Sequence, residues 1–337
     1  MSQPVALYPV QSRNTRIIRG LVTAALMIAL ISQVDVGDAL GYLLRANPGG
    51  LVLAMFILVC DRFLQAAKWY PLVRIQTDKL PLDVCIRAYL ASYAASFLLP
   101  ASIGADMLRA VALGRGRNLI PEVSASIVME RLLGVATLVI ANLLAVLYAF
   151  SGSARLERFG LLAAGLVGVA LVALLLPMSR PLHRWIRTWC ERFQQARWSG
   201  VLRRFGDAYY AHRRHPATLL LVFGLSLVEI GMIILMMATV SEAIGTRITL
   251  SMLLVVAPIA LVLYRLPFTY WGLGVADGGL VLLLKHLYGI PPTEALAASA
   301  AFRFVELCVA LPGAILWPSL LGPAGLGRAV DARATRV

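Results

Sequence analysis

The residues with the clearest chemical potential in this sequence are charged side chains next to breaks in apolar stretches. In the segment LLPASIGADMLR, the apolar run is broken at Pro100 and Gly104 and is followed by Asp106 and Arg109. A guanidinium group binds phosphate oxygens through two parallel hydrogen bonds. Helix beginnings after such breaks offer free N–H groups and a positive dipole end. The pattern therefore predicts binding of an anionic group.

A second segment, RLPFTYWGLGVAD, repeats the order Leu-Pro, Gly and Ala-Asp, and further charges lie in neighbouring apolar runs. These features together define the candidate substrate-binding site: Pro100, Gly104, Asp106, Arg109, Glu130, Arg131, Glu229, Arg265, Gly272, Gly274, Asp277, Arg303 and Glu306. The i,i+3 spacing of Asp106 with Arg109, and of Arg303 with Glu306, allows each pair to interact along its own helix.

Two roles stay open for these charges. Glu130 and Arg131 are adjacent, so they point apart and each needs a partner elsewhere. The carboxylates either balance a cationic part of the ligand or take a coupling proton, and Glu229 is either a structural partner for an arginine or a proton relay. Trp69 and Trp271 line the pocket or anchor the chain at the membrane interface. Any single charge could belong to an ion pair that only holds two helices together. Apolar packing would join helices at lower cost, so we favour a ligand-binding site for the charges as a group.

The elements that carry these charges are membrane helices. The chain of 337 residues is 60% hydrophobic and 14% charged, whereas soluble domains are usually ~45–50% apolar and about 25% charged. The net charge of +14 comes from arginines beside the apolar runs, nine of them within residues 180–214. This placement indicates cytoplasmic flanks and contact with anionic lipid. It argues against nucleic acid as a partner.

Six apolar runs are long enough to cross the ~30 Å hydrocarbon core as helices. They are residues 17–34, 50–70, 122–149, 159–177, 217–241 and 294–318. Two further regions, 83–114 and 250–288, are interrupted by Pro and Gly near their middle. The basic loops all lie on the cytoplasmic side only if both regions enter and leave the membrane on the same side. Such re-entrant hairpins are allowed where protein or water surrounds the backbone.

This topology predicts one transmembrane domain over residues 17–320 in a bacterial inner membrane. Residues 1–16 and 321–337 are then a cytoplasmic N-terminus and a cytoplasmic tail. In the basic segment 179–216, Trp185 and Trp189 recur at helical spacing among arginines. That pattern is typical of a helix lying on the inner leaflet, and a solvated linker is the alternative.

The two interrupted regions belong to an internal repeat. Asp106 and Asp277 are 171 residues apart, and both Glu122–Glu294 and Arg131–Arg303 are 172 apart. The predicted topology inverts unit one, about 50–149, relative to unit two, about 217–318. Inverted repeats with broken helices are typical of transporters that bind substrate at mid-membrane. We therefore expect an all-α polytopic fold with two re-entrant hairpins, and we expect Arg131 and Arg303 to meet near the midplane.

The sequence offers little for catalysis or cofactors. The four cysteines are scattered without a CxxC motif, the four histidines form no ligand set, and GxxxxGK[ST] is absent. We expect no metal, no cofactor and no enzymatic activity.

Several segments resemble the lysylphosphatidylglycerol synthase transmembrane region, or flippase-like, family. The similar pieces are RFLQAAKWYPLV, LLPASIGADMLRAVALGR, SASIVMERLLG, LPFTYWGLGVADGG and FRFVELCVALPGAILW, and the resemblance covers about residues 15–320. It implies a polytopic inner-membrane protein linked to moving polar lipids. Its Pro, Gly and acidic positions fall on Pro100, Gly104 and Asp106, its Glu-Arg pair on Glu130 and Arg131, and its Gly-rich motif on Gly272, Gly274 and Asp277. The chain ends about 20 residues after the last apolar run, so the aminoacyl transfer of bifunctional members is not expected.

The function expected from these observations is that of a lipid flippase or transporter for an anionic lipid, either a phospholipid or a polyprenyl-phosphate-linked one. One alternative is a membrane subunit that anchors a lipid-modifying enzyme or glycosyltransferase. Another is an enzyme acting on a lipid phosphate. A homo-oligomer, or a complex with a lipid-modifying enzyme, stays open.

Overall fold

The computed structural model describes residues 21, 28, 36–78, 80–97, 102–114, 117–149, 172, 176–192, 197–264 and 272–316. Over these residues the regular structure is helical. The α-helices are α1 (Val36–Leu44), α2 (Pro48–Arg74), α3 (Leu82–Ala95), α4 (Ser102–Gly114), α5 (Ile120–Ala149), α6 (Arg180–Arg192), α7 (Arg197–Ala211), α8 (Pro216–Ala243), α9 (Leu250–Tyr264), α10 (Val275–Tyr288) and α11 (Pro292–Ile315). Short 3-10 turns occupy Leu176–Met178 and His212–Arg214.

Four of these helices, α2, α5, α8 and α11, are long and apolar enough to cross a membrane. They coincide with the predicted runs 50–70, 122–149, 217–241 and 294–318, and α2 extends four residues further, to Arg74. The predicted runs 17–34 and 159–177 lie almost entirely outside the described residues. The protein is therefore an all-α, multi-pass membrane protein, as its composition indicates.

Each interrupted region contains two short helices that pack against each other, α3 with α4 and α9 with α10. These helices have 13 to 15 residues. At ~1.5 Å per residue, each is about 20 Å long, which is less than the ~30 Å hydrocarbon core. Over the described residues, each of these helices is therefore shorter than a full crossing.

The helices α2 and α8 form the central seam of the molecule and run antiparallel. The Asn47 N–H, just before α2, donates to the Ala243 carbonyl at the end of α8 (2.7 Å). Further along α2, Lys68 reaches Glu229 in the middle of α8. Gly50 allows the two backbones to approach closely, because a Cβ there would lie 2.7 Å from the Ala243 Cβ.

The remaining contacts are reciprocal between the two halves. The first short helix of each pair packs against the long helix of the other half, α3 against α11 and α9 against α5. Likewise α2 contacts α11, and α8 contacts α5. The second short helix packs against the long helix that follows it, α4 against α5 and α10 against α11. Each half therefore completes its packing with the other.

Small side chains fill much of the helix interfaces, including fully buried Ala54, Ala66, Ala91 and Ala298. Small residues let membrane helices approach closely enough for backbone packing. Large apolar side chains such as Phe56 instead point outwards, where lipid chains can surround them.

Helices α6 and α7 occupy the basic segment and pack together, with α7 against α5. Trp185 and Trp189 are exposed on α6 and their rings stack with centroids 6.3 Å apart. Arg204 on α7 fixes the pair to α5 by two bonds to Glu122, each 2.9 Å long. The predicted helical spacing is thus present, and its placement on the inner leaflet stays a prediction.

Candidate functional site

A first cluster of charges joins α4 to α5. Arg131 donates from Nε to Asp106 Oδ2 (2.9 Å) and from Nη2 to Asp106 Oδ1 (2.8 Å). Arg109 donates to Asp106 Oδ1 (3.1 Å) and to Glu130 Oε2 (3.0 Å). The i,i+3 pair is therefore formed, and Glu130 and Arg131 find separate partners on α4. Gly104 lies in the first turn of α4, two residues before Asp106.

Arg109 is the buried centre of this cluster, with 1% of its side chain exposed. Its guanidinium lies 4.2 Å from the Trp69 ring centroid and 4.7 Å from that of Tyr89. Trp69 is itself buried and its Nε1 donates to Ser126 Oγ (3.1 Å). Of the two roles predicted for Trp69, the structure supports the one lining the site.

A second cluster joins α10 to α11. Arg303 donates from Nε to Asp277 Oδ1 (3.0 Å) and from Nη2 to Asp277 Oδ2 (3.2 Å). Asp277 also accepts from Ser299 Oγ (2.6 Å) and from the Gly274 N–H (3.0 Å). Gly274 has φ of 82° and begins α10. Because L side chains rarely adopt this conformation, glycine lets the chain bend here so that Asp277 caps the helix.

Glu306 and Tyr264 extend this cluster. The Tyr264 hydroxyl donates to Glu306 Oε2 (2.6 Å) and also contacts Arg303 Nη1. Arg303 and Glu306 form their i,i+3 ion pair at 3.7 Å. The Arg303 guanidinium also lies over the Tyr264 ring, 4.1 Å from its centroid. Gly272, with φ of 67°, packs against the backbone of Tyr264.

The two clusters contain equivalent ion pairs. In each, an aspartate on the second short helix takes two hydrogen bonds from an arginine on the following long helix. Near the start of those long helices, Glu122 and Glu294 are also each held by an arginine, Arg204 and Arg247 respectively. Residues 171 or 172 apart in the sequence therefore make matching contacts.

Polar residues of α2 and α3 connect the clusters. The Tyr89 hydroxyl, beside Arg109, donates to Gln65 Oε1, and Gln65 Nε2 donates to Asp61 Oδ2 (2.8 Å). Asp61 also binds Arg62 (2.5 Å). Arg62 lies over the Tyr93 ring (4.4 Å), and the Tyr93 hydroxyl contacts the Glu306 carbonyl (3.4 Å). A polar chain thus links the first cluster to the second.

The meeting of the two arginines near the midplane stays a prediction. Among the described residues, Arg131 and Arg303 each pair with the aspartate of their own half, and α2 and α3 supply a connection between the clusters. Glu229 forms an ion pair with Lys68, and its role as a structural partner or a proton relay stays a prediction. Pro100, Arg265 and Trp271 lie outside the described residues.

Sequence reasoning did not assign Gln65, Lys68, Tyr89, Tyr93 or Tyr264 to the site. Lys68 lies near the end of the apolar run 50–70, and its side chain is only 3% exposed. A signal was present, because Asp61, Gln65 and Lys68 recur at the spacing of one helix face. Tyr89 and Tyr93 share a face of α3 in the same way.

A small cavity of about 50 Å³ opens beside the second cluster. Its polar end contains Tyr264, Asp277, Ser299, Arg303 and Glu306, and its walls are Ile233, Met236, Met237, Ala257, Ala260, Leu261, Ala276, Leu280 and Phe302. The cavity therefore has one charged end and apolar walls.

The described residues contain no group of three or more His, Cys, Asp or Glu side chains placed to hold a metal ion. Cys60, Cys85, Cys190 and Cys308 are free thiols.

A comparison with curated proteins finds no match. A model of a family of lipid-related membrane domains, described as the lysylphosphatidylglycerol synthase TM region, matches residues 16–313. The match covers both clusters, the helices that carry them and the two interrupted regions. The chain therefore belongs to the lysylphosphatidylglycerol synthase transmembrane-region family.

Proposed function

We propose that this protein is a flippase that moves an anionic polar lipid between the leaflets of the inner membrane, without a chemical step. The observation that carries the proposal is the cavity beside Arg303, which has a charged end and apolar walls within the helix bundle. A lipid headgroup would occupy the charged end while its chains stay against apolar side chains or in the bilayer.

The arginines already make the kind of two-point hydrogen bonding that a phosphate can accept. Asp106 accepts two hydrogen bonds from one edge of Arg131, and a phosphate accepts the same two-point contact. The Arg131 side chain is 43% exposed while that of Asp106 is 17% exposed. A headgroup phosphate can therefore reach the guanidinium and replace the aspartate, which would release α4 from α5. Asp277 and Arg303 make the same two-point contact in the second half, where their side chains are more buried, 6% and 12% exposed.

The proposed route is alternating access through two inverted repeats. Equivalent helices α2 and α8 run antiparallel and the contacts between the halves are reciprocal, which supports a two-fold relation with its axis in the membrane plane. The short paired helices support re-entrant hairpins, since each is shorter than the hydrocarbon core. Inverted repeats allow the same site to open to either side by equivalent movements.

Orientation follows from the basic segments. We place both termini and the helices α6 and α7 on the cytoplasmic side, because arginines are concentrated there. The exposed Trp185 and Trp189 then insert into the interfacial region of the inner leaflet. No P-loop motif is present in the sequence. We therefore propose that a lipid gradient or an ion gradient drives the movement of the lipid.

The test is translocation of fluorescent phosphatidylglycerol by purified protein in proteoliposomes. We expect Arg131→Ala and Arg303→Ala each to lower the rate at least about tenfold, since a charged hydrogen-bonded contact contributes roughly 1.5–3 kcal/mol. Arg87→Ala is the matched control, because Arg87 is 46% exposed and forms an ion pair with Asp83 along its own helix. Size-exclusion chromatography checks that each variant is folded.

Wild-type rates in both Arg131→Ala and Arg303→Ala would rule out this mechanism. Absence of translocation by the wild-type protein, together with co-purification of a lipid-modifying enzyme or glycosyltransferase, would support the anchoring role instead.

A further inference from the structure

The midpoint of α2 contains a charged group that lipid binding does not use. Asp61 lies thirteen residues after Pro48 and thirteen before Arg74, the ends of α2. At ~1.5 Å per residue this places it about 20 Å from either end, near the centre of the bilayer. It is fully buried, with 0% of its surface exposed. An ionised carboxylate there is costly unless its oxygens are satisfied.

Only one oxygen of Asp61 is satisfied. Oδ2 accepts from Arg62 and from Gln65. Oδ1 is buried without a hydrogen-bond partner among the described residues, and the Nε of Arg62 is in the same condition. Buried polar atoms of native proteins nearly always have a partner. The unsatisfied oxygen and its position therefore indicate that Asp61 binds something absent from these helices.

A proton fits this position better than a metal ion. The described residues provide no cluster of metal-ligating side chains. Arg62 and Gln65 already occupy Oδ2 of Asp61, which leaves a metal ion a single carboxylate oxygen. A proton needs no further ligand, and it removes the negative charge that makes the unsatisfied Oδ1 costly.

The groups around Asp61 determine how its protonation changes the local charge. The charged or titratable groups around Asp61 and its partners Arg62 and Tyr93 are Lys68 on α2, Glu229 on α8, Tyr89 on α3, and Glu306 with Arg303 on α11. From α5, Glu130 and Arg131 belong to the first cluster and are paired there. Lys68 and Glu229 neutralise each other. Protonation of Asp61 therefore removes the negative charge that is paired directly with Arg62.

Arg62 connects this change in charge to the lipid cavity. Its guanidinium lies over the Tyr93 ring, and Tyr93 contacts Glu306, which lines the cavity. With Asp61 ionised, the Asp61–Arg62 pair is neutral. With Asp61 protonated, the group of charges around Arg62 and Glu306 has one negative charge fewer, which favours an anionic headgroup.

We propose that Asp61 is the coupling-proton site of this protein, so that one proton and one anionic lipid cross the membrane together. This inference rests on the proposed lipid transport. The carboxylate takes a proton from water on one side, –COO⁻ becoming –COOH, and releases it on the other side with the lipid. For a lipid with one negative charge the step is electroneutral, so a pH gradient drives it and a membrane potential does not.

The experiment measures the leaflet distribution of fluorescent phosphatidylglycerol in proteoliposomes under a gradient of one pH unit. If one proton moves with each lipid, the lipid concentrations in the two leaflets should differ about tenfold, because one pH unit corresponds to about 1.36 kcal/mol. Asp61→Asn should still exchange lipid but bring the ratio to about one. Asp83→Asn is the control, since Asp83 is a surface aspartate with 40% of its side chain exposed, and it should keep the wild-type ratio.

A wild-type protein that exchanges lipid without building a ratio would overturn the coupling while leaving the flippase function intact. A separate measurement covers the case in which no lipid moves, which would refute the flippase function. Infrared difference spectra between high and low pH should contain the carbonyl band of a protonated carboxylic acid in wild type and in Asp83→Asn. Its persistence in Asp61→Asn would refute Asp61 as the proton site even without transport.

Discussion

The ion pair between Lys68 and Glu229 is expected to hold the two halves together at the central seam. It joins α2 to α8, and the exposed fractions of the two side chains are only 3% and 11%. Removing one partner of a buried pair leaves an uncompensated charge and costs about 3–5 kcal/mol. We therefore expect Lys68→Met and Glu229→Leu each to destabilise the protein by that amount.

The double variant Lys68→Met/Glu229→Leu should be much more stable than either single variant. Apolar side chains of similar volume can replace a buried ion pair at little net cost. We expect the double variant to lie within about 1 kcal/mol of wild type, and so to exceed each single variant by at least about 2 kcal/mol, or roughly 30-fold in the unfolding equilibrium.

The assay is reversible unfolding in detergent micelles, followed by tryptophan fluorescence. Asp78→Asn is the matched control, because it breaks an ion pair with Arg74 whose side chains are 52% and 82% exposed. Solvent screens such an exposed pair, so its loss should hardly change the stability of the protein. If Lys68→Met behaved like this control, or if the two single effects simply added in the double variant, the seam would not depend on the pair.

Three further outcomes are expected. Gly50→Ala should lower the free energy of unfolding by about 1–3 kcal/mol, because its Cβ would lie 2.7 Å from the Ala243 Cβ; thermal denaturation measures this. Burial lowers the pKa of His212 below its ordinary value of about 6.5. The unfolded chain then binds the proton more readily, so stability falls as pH drops through about 6.5, and His212→Gln should reduce that fall. Asp106→Asn should free Arg131 and tighten binding of an anionic lipid roughly tenfold, measured by native mass spectrometry.

For each of these three predictions, a specific result would contradict the reasoning. Gly278→Ala is the control for the seam glycine, since a Cβ at Gly278 meets nothing within 4 Å, and equal losses in both variants would contradict the close-approach argument. An unchanged acid response in His212→Gln would assign the pH dependence to other groups. Weaker lipid binding by Asp106→Asn would mean that the aspartate orients Arg131 for the lipid instead of competing with it.

The long helices could be predicted because their cause is local. A run of about 20 apolar residues must form a helix in lipid, where each backbone group needs a partner within the chain. The i,i+3 pairs of Asp106 with Arg109 and Arg303 with Glu306 were predictable for the same reason, since helix geometry alone brings those side chains together.

Lys68 shows the limit of predicting contacts from the sequence of one helix. A lysine near the end of an apolar run is usually part of a flank, and the sequence around it does not reveal a carboxylate 161 residues away. Tyr89, Tyr93 and Tyr264 likewise have ordinary places in apolar helices. Their roles depend on which helix lies opposite.

The sequence by itself determined the class of the protein, its long helices, the two breaks and the matched charges of its two halves, because apolar length, proline, glycine and charge spacing act within one helix. Only the tertiary structure decided which charges neutralise each other. It gave each arginine the aspartate of its own half, placed Lys68 against Glu229, and joined the clusters through α2 and α3. Those pairings follow from the antiparallel packing of α2 on α8 and from the reciprocal contacts between halves, which bring together residues distant in the chain.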